Sequence, residues 1–416
     1  MSTRRLQPHN PMPESRYEVL ALFTFAMVGA SLFIMATGTL MPFLETAFHL
    51  SQTQLGLVLS VQMAGSLAMT AVAGMFTDRF GDKAVVLWTG VLMGVALIAG
   101  AAVENFSWLL AWLLLYGIGF AAVTPAGSHA IIFFFTKEQR GLAMGVRQCG
   151  IPTAGVIGSI LLPAVALHFD YQWALVAAGI LTIVACAAAS FLYREPKELQ
   201  GERISLLAMI GEMLTIARDT RLVFMTLVSM ALVCSQLAVM AFLTLTIAHE
   251  AAYGIELAVA LFTLSQVAAI VGRIFWGWIS DAAFHGSRAL PLAVDCVITA
   301  GAAFAFSSFT PSTPLWVAGV VVVVLGFAAE GWFGIAVLGI AEIGGEEHSG
   351  SALGISLSWV YLAGFITPML FGALAQIYGY PFAWRGIAIV ALLGIWPALL
   401  ASVYIRNVAA AARSAS

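Results

Sequence analysis

Charge is scarce in this chain. Only 9% of its 416 residues are Asp, Glu, Lys or Arg, while 61% are hydrophobic. A soluble domain carries about a quarter charged residues. A chain this apolar could not cover itself with polar groups in water, which excludes a soluble globular protein. The net charge is a small −3, with the basic residues scattered, so the basic patch that nucleic acid requires is missing. Cysteine is nearly absent. The four present, Cys149, Cys186, Cys234 and Cys296, fall in apolar stretches with no pairing pattern and no metal-ligand spacing. They read as small packing residues and not as a disulfide framework or a metal site. The apolar runs hold no nucleophile–base pair, metal cluster or phosphate loop, so neither an enzyme nor a cofactor is expected. The longest polar gap, 194–221, is too short to fold alone, which argues against a sensor with a soluble output domain.

What is present is apolar run after apolar run. About 20 such residues cross a bilayer as a helix. Twelve spans are expected, at 17–42, 53–76, 84–103, 108–134, 141–167, 173–193, 222–248, 256–279, 289–309, 315–340, 351–378 and 385–405. The polar first 16 residues, MSTRRLQPHNPMPESR, form a tail, and the run behind them is too long for a signal-peptide core. With that tail inside, 15 of the 18 basic residues fall on the cytoplasmic side or at its helix ends, leaving Arg385 in an outer loop and Arg147 and Arg273 within spans. This asymmetry places both termini in the cytoplasm, with the chain in a plasma or bacterial inner membrane. The expected organisation is a tail (1–16), a six-helix bundle (17–193), a linker (194–221), a second six-helix bundle (222–405) and a tail (406–416). The fold class is therefore an all-α membrane protein.

The two halves repeat. Gly74-x3-Asp78 returns as Gly277-x3-Asp281, an offset of 203, and "GFAA" at 119–122 returns at 326–329, an offset of 207. The ladder Gly141, Ala143, Gly145, Gly155 returns as Gly350, Ala352, Gly354, Gly364, an offset of 209. "YQW" at 171–173 answers "FAW" at 382–384, an offset of 211. Four matches in order mark a parallel repeat, the construction of a carrier that rocks around a central site. The loop "GMFTDRFGDK" (74–83) resembles the signature of the major facilitator superfamily through Gly74, Asp78, Arg79, Gly81 and Lys83, with Asp82 at a usually basic position. "GWISDAAFHGSR" (277–288) keeps Gly277, Asp281 and Arg288 of a second copy. The resemblance implies two pseudo-symmetric six-helix bundles, and a gate formed by Gly74, Asp78, Arg79, Lys83 and Asp281. Asp78 would cap the helix that starts near Gly350, and that contact would break when the inner gate opens.

Four charges lie inside spans: Arg147, Arg273, Asp295 and Glu330. An intramembrane charge points to function, with pairing as the competing account. "GRIFWGWISD" (272–281) resembles the eighth helix of oxalate/formate and monocarboxylate transporters, where an arginine eight residues before the loop aspartate binds the substrate carboxylate. The planar guanidinium fork suits that task. The structural alternative is an ion pair of Arg273 with Asp295. Arg147 has no acid within reach on its own helix, so it is expected to face the central passage beside Gln148, or to pair with Glu330 across the halves. Glu330 sits in "GFAAEGWFG", and a carboxylate buried among Ala, Gly and Trp is what a proton-coupling site needs, with Asp295 as a second such group. Gln62, Gln236, Gln266, Trp332, Trp359 and Tyr361 can line the passage, and His129 can relay protons.

The reading with most support is a secondary carrier of a small organic anion, expected to be a carboxylate, coupled to protons or working by exchange. Arg147, Arg273, Gln148, Tyr361, Gln236 and Trp332 are the expected substrate contacts, with Glu330 and Asp295 on the proton side. The expected partners are the substrate, protons and membrane lipids, with the chain working as a monomer. The rival is a proton-driven exporter of drug-like compounds, because "GVRQCGIPTAGVIG" (145–158) is similar to the Gly-Pro-x2-Gly-Gly signature of such antiporters. It departs there at Ile151 and keeps only Gly155 after the proline.

Overall fold

The computed structural model describes residues 13–135, 137–196, 216–251 and 253–415. Within helices, the side chains of Gly74, Asp78, Arg79 and His129 lie outside the described residues. Every regular element described is helical: α1 (Pro13–Phe48), α2 (Gln52–Ala101), α3 (Phe106–Phe134), α4 (Lys137–Gln148), α5 (Gly150–His168), α6 (Tyr171–Leu192), α7 (Thr220–Glu250), α8 (Ile255–Ala282), α9 (Ala289–Phe306), α10 (Leu315–Ala329), α11 (Phe333–Tyr378) and α12 (Tyr380–Ala415). In hydrocarbon each backbone amide must find its partner within its own segment, and a helix does that. Eleven described segments are long and apolar enough to cross a membrane. The twelfth expected span lies on the first part of α2, which includes undescribed side chains.

Elements and spans are not one to one. Gly81 (φ 80) divides α2 into two spans and Gly345 (φ 69) divides α11, both in a backbone region that side chains other than hydrogen resist. The fifth span is broken at Cys149 between α4 and α5, and the tenth at 330–332 between α10 and α11. Polar caps mark the turns. Ser51 and Gln54 form a reciprocal capping box at α2, while Asn105, Asp170 and Asp219 accept from backbone amides that open α3, α6 and α7.

The bundle's outer surface is apolar, with Trp88, Trp316 and Trp396 each about 70% exposed (69, 73 and 70%). Such a surface is unfavourable in water and suited to lipid. Inside, α1–α6 pack on one another and so do α7–α12, and the two sets meet along three seams: α1 with α7, α2 with α11, and α5 with α8. The seams are tight because small residues let backbones touch. A Cβ on Gly56 would fall on the Pro368 carbonyl, and one on Gly372 on the Gln52 carbonyl. Met369 N donates to Ser60 Oγ at 3.1 Å, and Ser159 and Thr263 share a hydrogen bond of 2.8 Å across the α5/α8 seam. These contacts run from the helix middles to the end opposite the chain termini, called the far end below.

Candidate functional site

A proline creates the first feature of the site. In an unbroken helix the carbonyl of residue 148 accepts from the amide of residue 152. Residue 152 is proline and has no N–H, so the Gln148 carbonyl loses its intrahelical donor where α4 gives way to α5. Arg273 of α8 takes the place of that donor. Its Nη1 donates to Gln148 O at 3.1 Å across the seam between the two halves. Arg273 is 8% exposed, and its guanidinium carbon lies 5.8 Å from the centre of the Phe333 ring.

Two helical turns from Arg273, on the same face of α8, stands Gln266. Its Nε2 donates to Glu330 Oε1 at 2.7 Å. Gly155 of α5 leaves the room this amide needs, since a Cβ there would strike Gln266 Oε1. Glu330 itself is 1% exposed and ends α10 at the second interrupted span. Arg273 feels the Glu330 charge, but the two form no ion pair. The result is a row of buried polar groups (Gln148, Arg273, Gln266, Glu330) in which, among the described residues, cation and carboxylate lie in one neighbourhood without a direct ion pair. Gln148 Oε1, Arg273 Nε and Gln266 Oε1 are buried and find no partner among the described residues. A site built like this can take a small polar anion on the guanidinium and a proton on the carboxylate.

Arg147 is placed differently from the expectation. Although adjacent in sequence to Gln148, it is fully buried and turns into the first half. Its Nη2 donates to Val123 O at 2.8 Å, and a Cβ on Gly127 would lie 2.7 Å from its Nε. The acid whose field reaches it is Asp82, 2% exposed, at the position where the loop pattern usually carries a base. Neither expected pairing, Arg273 with Asp295 or Arg147 with Glu330, forms among the described residues.

A sequence model described as the Major Facilitator Superfamily matches residues 23–368. The chain belongs to the Major Facilitator Superfamily. Among relatives it is 25% identical over 384 residues to an MFS-type transporter of Mycobacterium tuberculosis described as uncharacterized, covering 92% of this chain and 83% of that one. It is also 25% identical to a protein of Cupriavidus necator described as a probable sulfoacetate transporter, over 88% of this chain and 87% of the other. The fold is shared with a bacterial homologue of the human lysosomal transporter Spinster, solved in an inward-facing, unoccupied conformation. The TM-score is 0.77 at 17% identity, over 94% of this chain and 97% of that one. The protein is thus a multi-pass membrane transporter and not an enzyme.

Within this superfamily member the remaining expected residues scatter. Asp295 is fully buried on α9, and neither carboxylate oxygen has a hydrogen-bond partner among the described residues. Gln236 on α7 and Trp332 at the α10–α11 break are buried, Tyr361 on α11 is partly buried, and none joins the Arg273 row through a hydrogen bond. Trp359 is half-exposed, and Gln62 is occupied with Val58 O. Ser356 of α11 hydrogen-bonds with Thr226 of its own half. Of the gate residues, Lys83 reaches Tyr193 O at 3.4 Å, and Asp281 is tied to Arg288 at 2.5 Å, which also holds Glu342 at 3.0 Å. Gly74, Asp78 and Arg79 lie outside the described side chains. Among the described residues no cluster of potential metal ligands occurs. Gln266, Pro152 and Asp82 prove more informative than the sequence suggested.

Proposed function

We propose that the protein carries a small organic anion, a carboxylate, by alternating access, with Arg273 as its receptor and Glu330 as the group that couples transport to protons. The observation that carries this reading is the position of Arg273: a buried cation whose bond to the other half goes to a neutral carbonyl and not to a carboxylate. An incoming carboxylate offers that guanidinium a charged, bidentate partner, which outcompetes a carbonyl. Substrate binding would then release Gln148 and loosen the central tie between the halves. Glu330, held by the neutral Gln266 amide, can lose or take a proton without breaking an ion pair. Arg147, clamped by Val123 O, acts behind the break as a fixed positive charge that positions α4 and shapes the field around Gln148. One likeness supports the reading: a relative described as a probable sulfoacetate transporter, sulfoacetate being an organic anion. With the termini in the cytoplasm, closed far-end seams would make this the inward-open step of the proposed cycle.

The test is uptake of a panel of radiolabelled carboxylates into proteoliposomes. Arg273→Gln should lower uptake at least about tenfold while the protein remains inserted and monodisperse, because a charge-assisted hydrogen bond is worth about 1.5–3 kcal/mol. Uptake at the unmutated rate would remove Arg273 from the site. The exporter reading keeps its support from the stretch 145–158, and Pro152 is its strongest element. A resistance profile on overexpression, with no carboxylate uptake, would favour it.

A further inference from the structure

The far end of the α1/α7 seam carries a second polar cluster that the substrate site does not use. Glu45 of α1 accepts from Gln52 Nε2 of α2 at 2.9 Å through Oε1, and its Oε2 stands 3.6 Å from His249 Nε2 at the end of α7. Tyr380 OH at the start of α12 donates to Gln52 Oε1, and its ring stacks on the His249 imidazole with centres 5.8 Å apart and planes 20° from parallel. Four helices, two from each half, thus meet through one carboxylate, one amide, one imidazole and one phenol. Beside them Thr53 Oγ1 donates to Gln376 Oε1 at 2.7 Å, again across the halves. Glu250, next to His249 on α7, is the other charge acting on this imidazole.

We infer that Glu45, Gln52, His249 and Tyr380 form a proton-operated latch that holds the far end shut. The sign follows from the groups. With His249 protonated, Glu45–His249 is an ion pair between the halves, and Gln52 and Tyr380 hold the carboxylate and the ring in register. With His249 neutral, that attraction disappears and only the hydrogen bonds remain. Imidazole changes charge near pH 6.5, inside the range a cell surface meets. Acid therefore favours the closed far end and neutral to alkaline pH favours its opening. The inference rests on the alternating-access reading, but not on the identity of the substrate.

Spin labels at Glu104→Cys and Ser312→Cys, exposed in far-end loops of the first and second halves, report the opening. They are placed in a full-length chain whose four native cysteines are replaced, reconstituted in nanodiscs. Raising the pH from about 5.5 to 8 should increase the long-distance population. The change in the open-to-closed ratio should be about two- to fivefold, the scale of a partly exposed ion pair. His249→Gln and Glu45→Gln should each abolish the pH response, and Tyr380→Phe should weaken it. A response unchanged in either His249→Gln or Glu45→Gln, or no response in the parent, overturns the latch. Carboxylate uptake measured in parallel separates the two readings. Loss of uptake in Arg273→Gln with an unaltered far-end response in His249→Gln sinks the latch alone. A His249-dependent response with normal uptake in Arg273→Gln sinks the anion site alone.

Discussion

Arg273 and Glu330 announce themselves in the sequence because a full charge in an apolar run is expensive to leave there without purpose. Which way such a side chain turns is a different matter. Arg147 stands in the last turn of α4, and the sequence there does not say which neighbouring helix its side chain meets. The structure turns it into the first half, towards Val123 and Gly127, while Arg273 receives the neighbouring Gln148 carbonyl. In the proposed cycle Glu330 is the residue on which coupling hangs. Glu330→Gln keeps the size and an amide for Gln266 to bond, but can no longer release or take a proton. In proteoliposomes, accumulation driven by a pH gradient should fall at least about tenfold, the effect of losing roughly 1.4 kcal/mol or more of coupling. Counterflow exchange of carboxylate for carboxylate should continue within about twofold. Gradient-driven accumulation that survives would relieve Glu330 of this role.

Span number and order were legible at the level of elements, because run length and the Lys/Arg asymmetry depend only on composition. The breaks at Cys149 and at 330–332 were not, since each span runs on past its polar residues (Arg147 and Gln148, and Glu330) to full membrane length. One of them has a local signature in hindsight, as Pro152 stands four residues after Gln148 and removes the amide that would have closed the turn. That relation is testable. Pro152→Ala restores the donor, so the Gln148 carbonyl turns back into its own helix and Arg273 is left with the substrate as its main partner. The carboxylate then no longer competes with a carbonyl. Its apparent affinity should rise about two- to tenfold, in line with the 0.5–1.5 kcal/mol net worth of a hydrogen bond. Thermal-shift titration of purified protein with the transported carboxylate measures it directly. A weaker affinity in this variant would mean that the break itself, and not the freed carbonyl, organises the site.

For the whole molecule, the repeat points to two halves, but not to the end at which the seams between them close. That choice depends on backbone contacts between residues more than 300 apart, which no local pattern encodes. Gly56 against Pro368 and Gly372 against Gln52 show how narrow the closure is, since a single methyl at either place meets a carbonyl. Gly56→Val should therefore wedge α2 from α11 and hold the far end open. Overpacking of a tight contact is unfavourable by about 1–3 kcal/mol, a shift of roughly five- to hundredfold in the open-to-closed ratio. Ser60, fully buried beneath that contact, is the reporter. In the cysteine-replaced chain, Ser60→Cys should react with a membrane-impermeant maleimide from the far-end side several times faster once Gly56→Val is added. Gly254→Val, at a glycine with nothing within 4 Å of an added Cβ, should leave the rate unchanged. Net carboxylate uptake should fall in Gly56→Val and persist in Gly254→Val, because a carrier that cannot close one end completes no cycle. Equal labelling in the two variants would mean that the α2/α11 contact yields easily and that closure is carried by the other two seams.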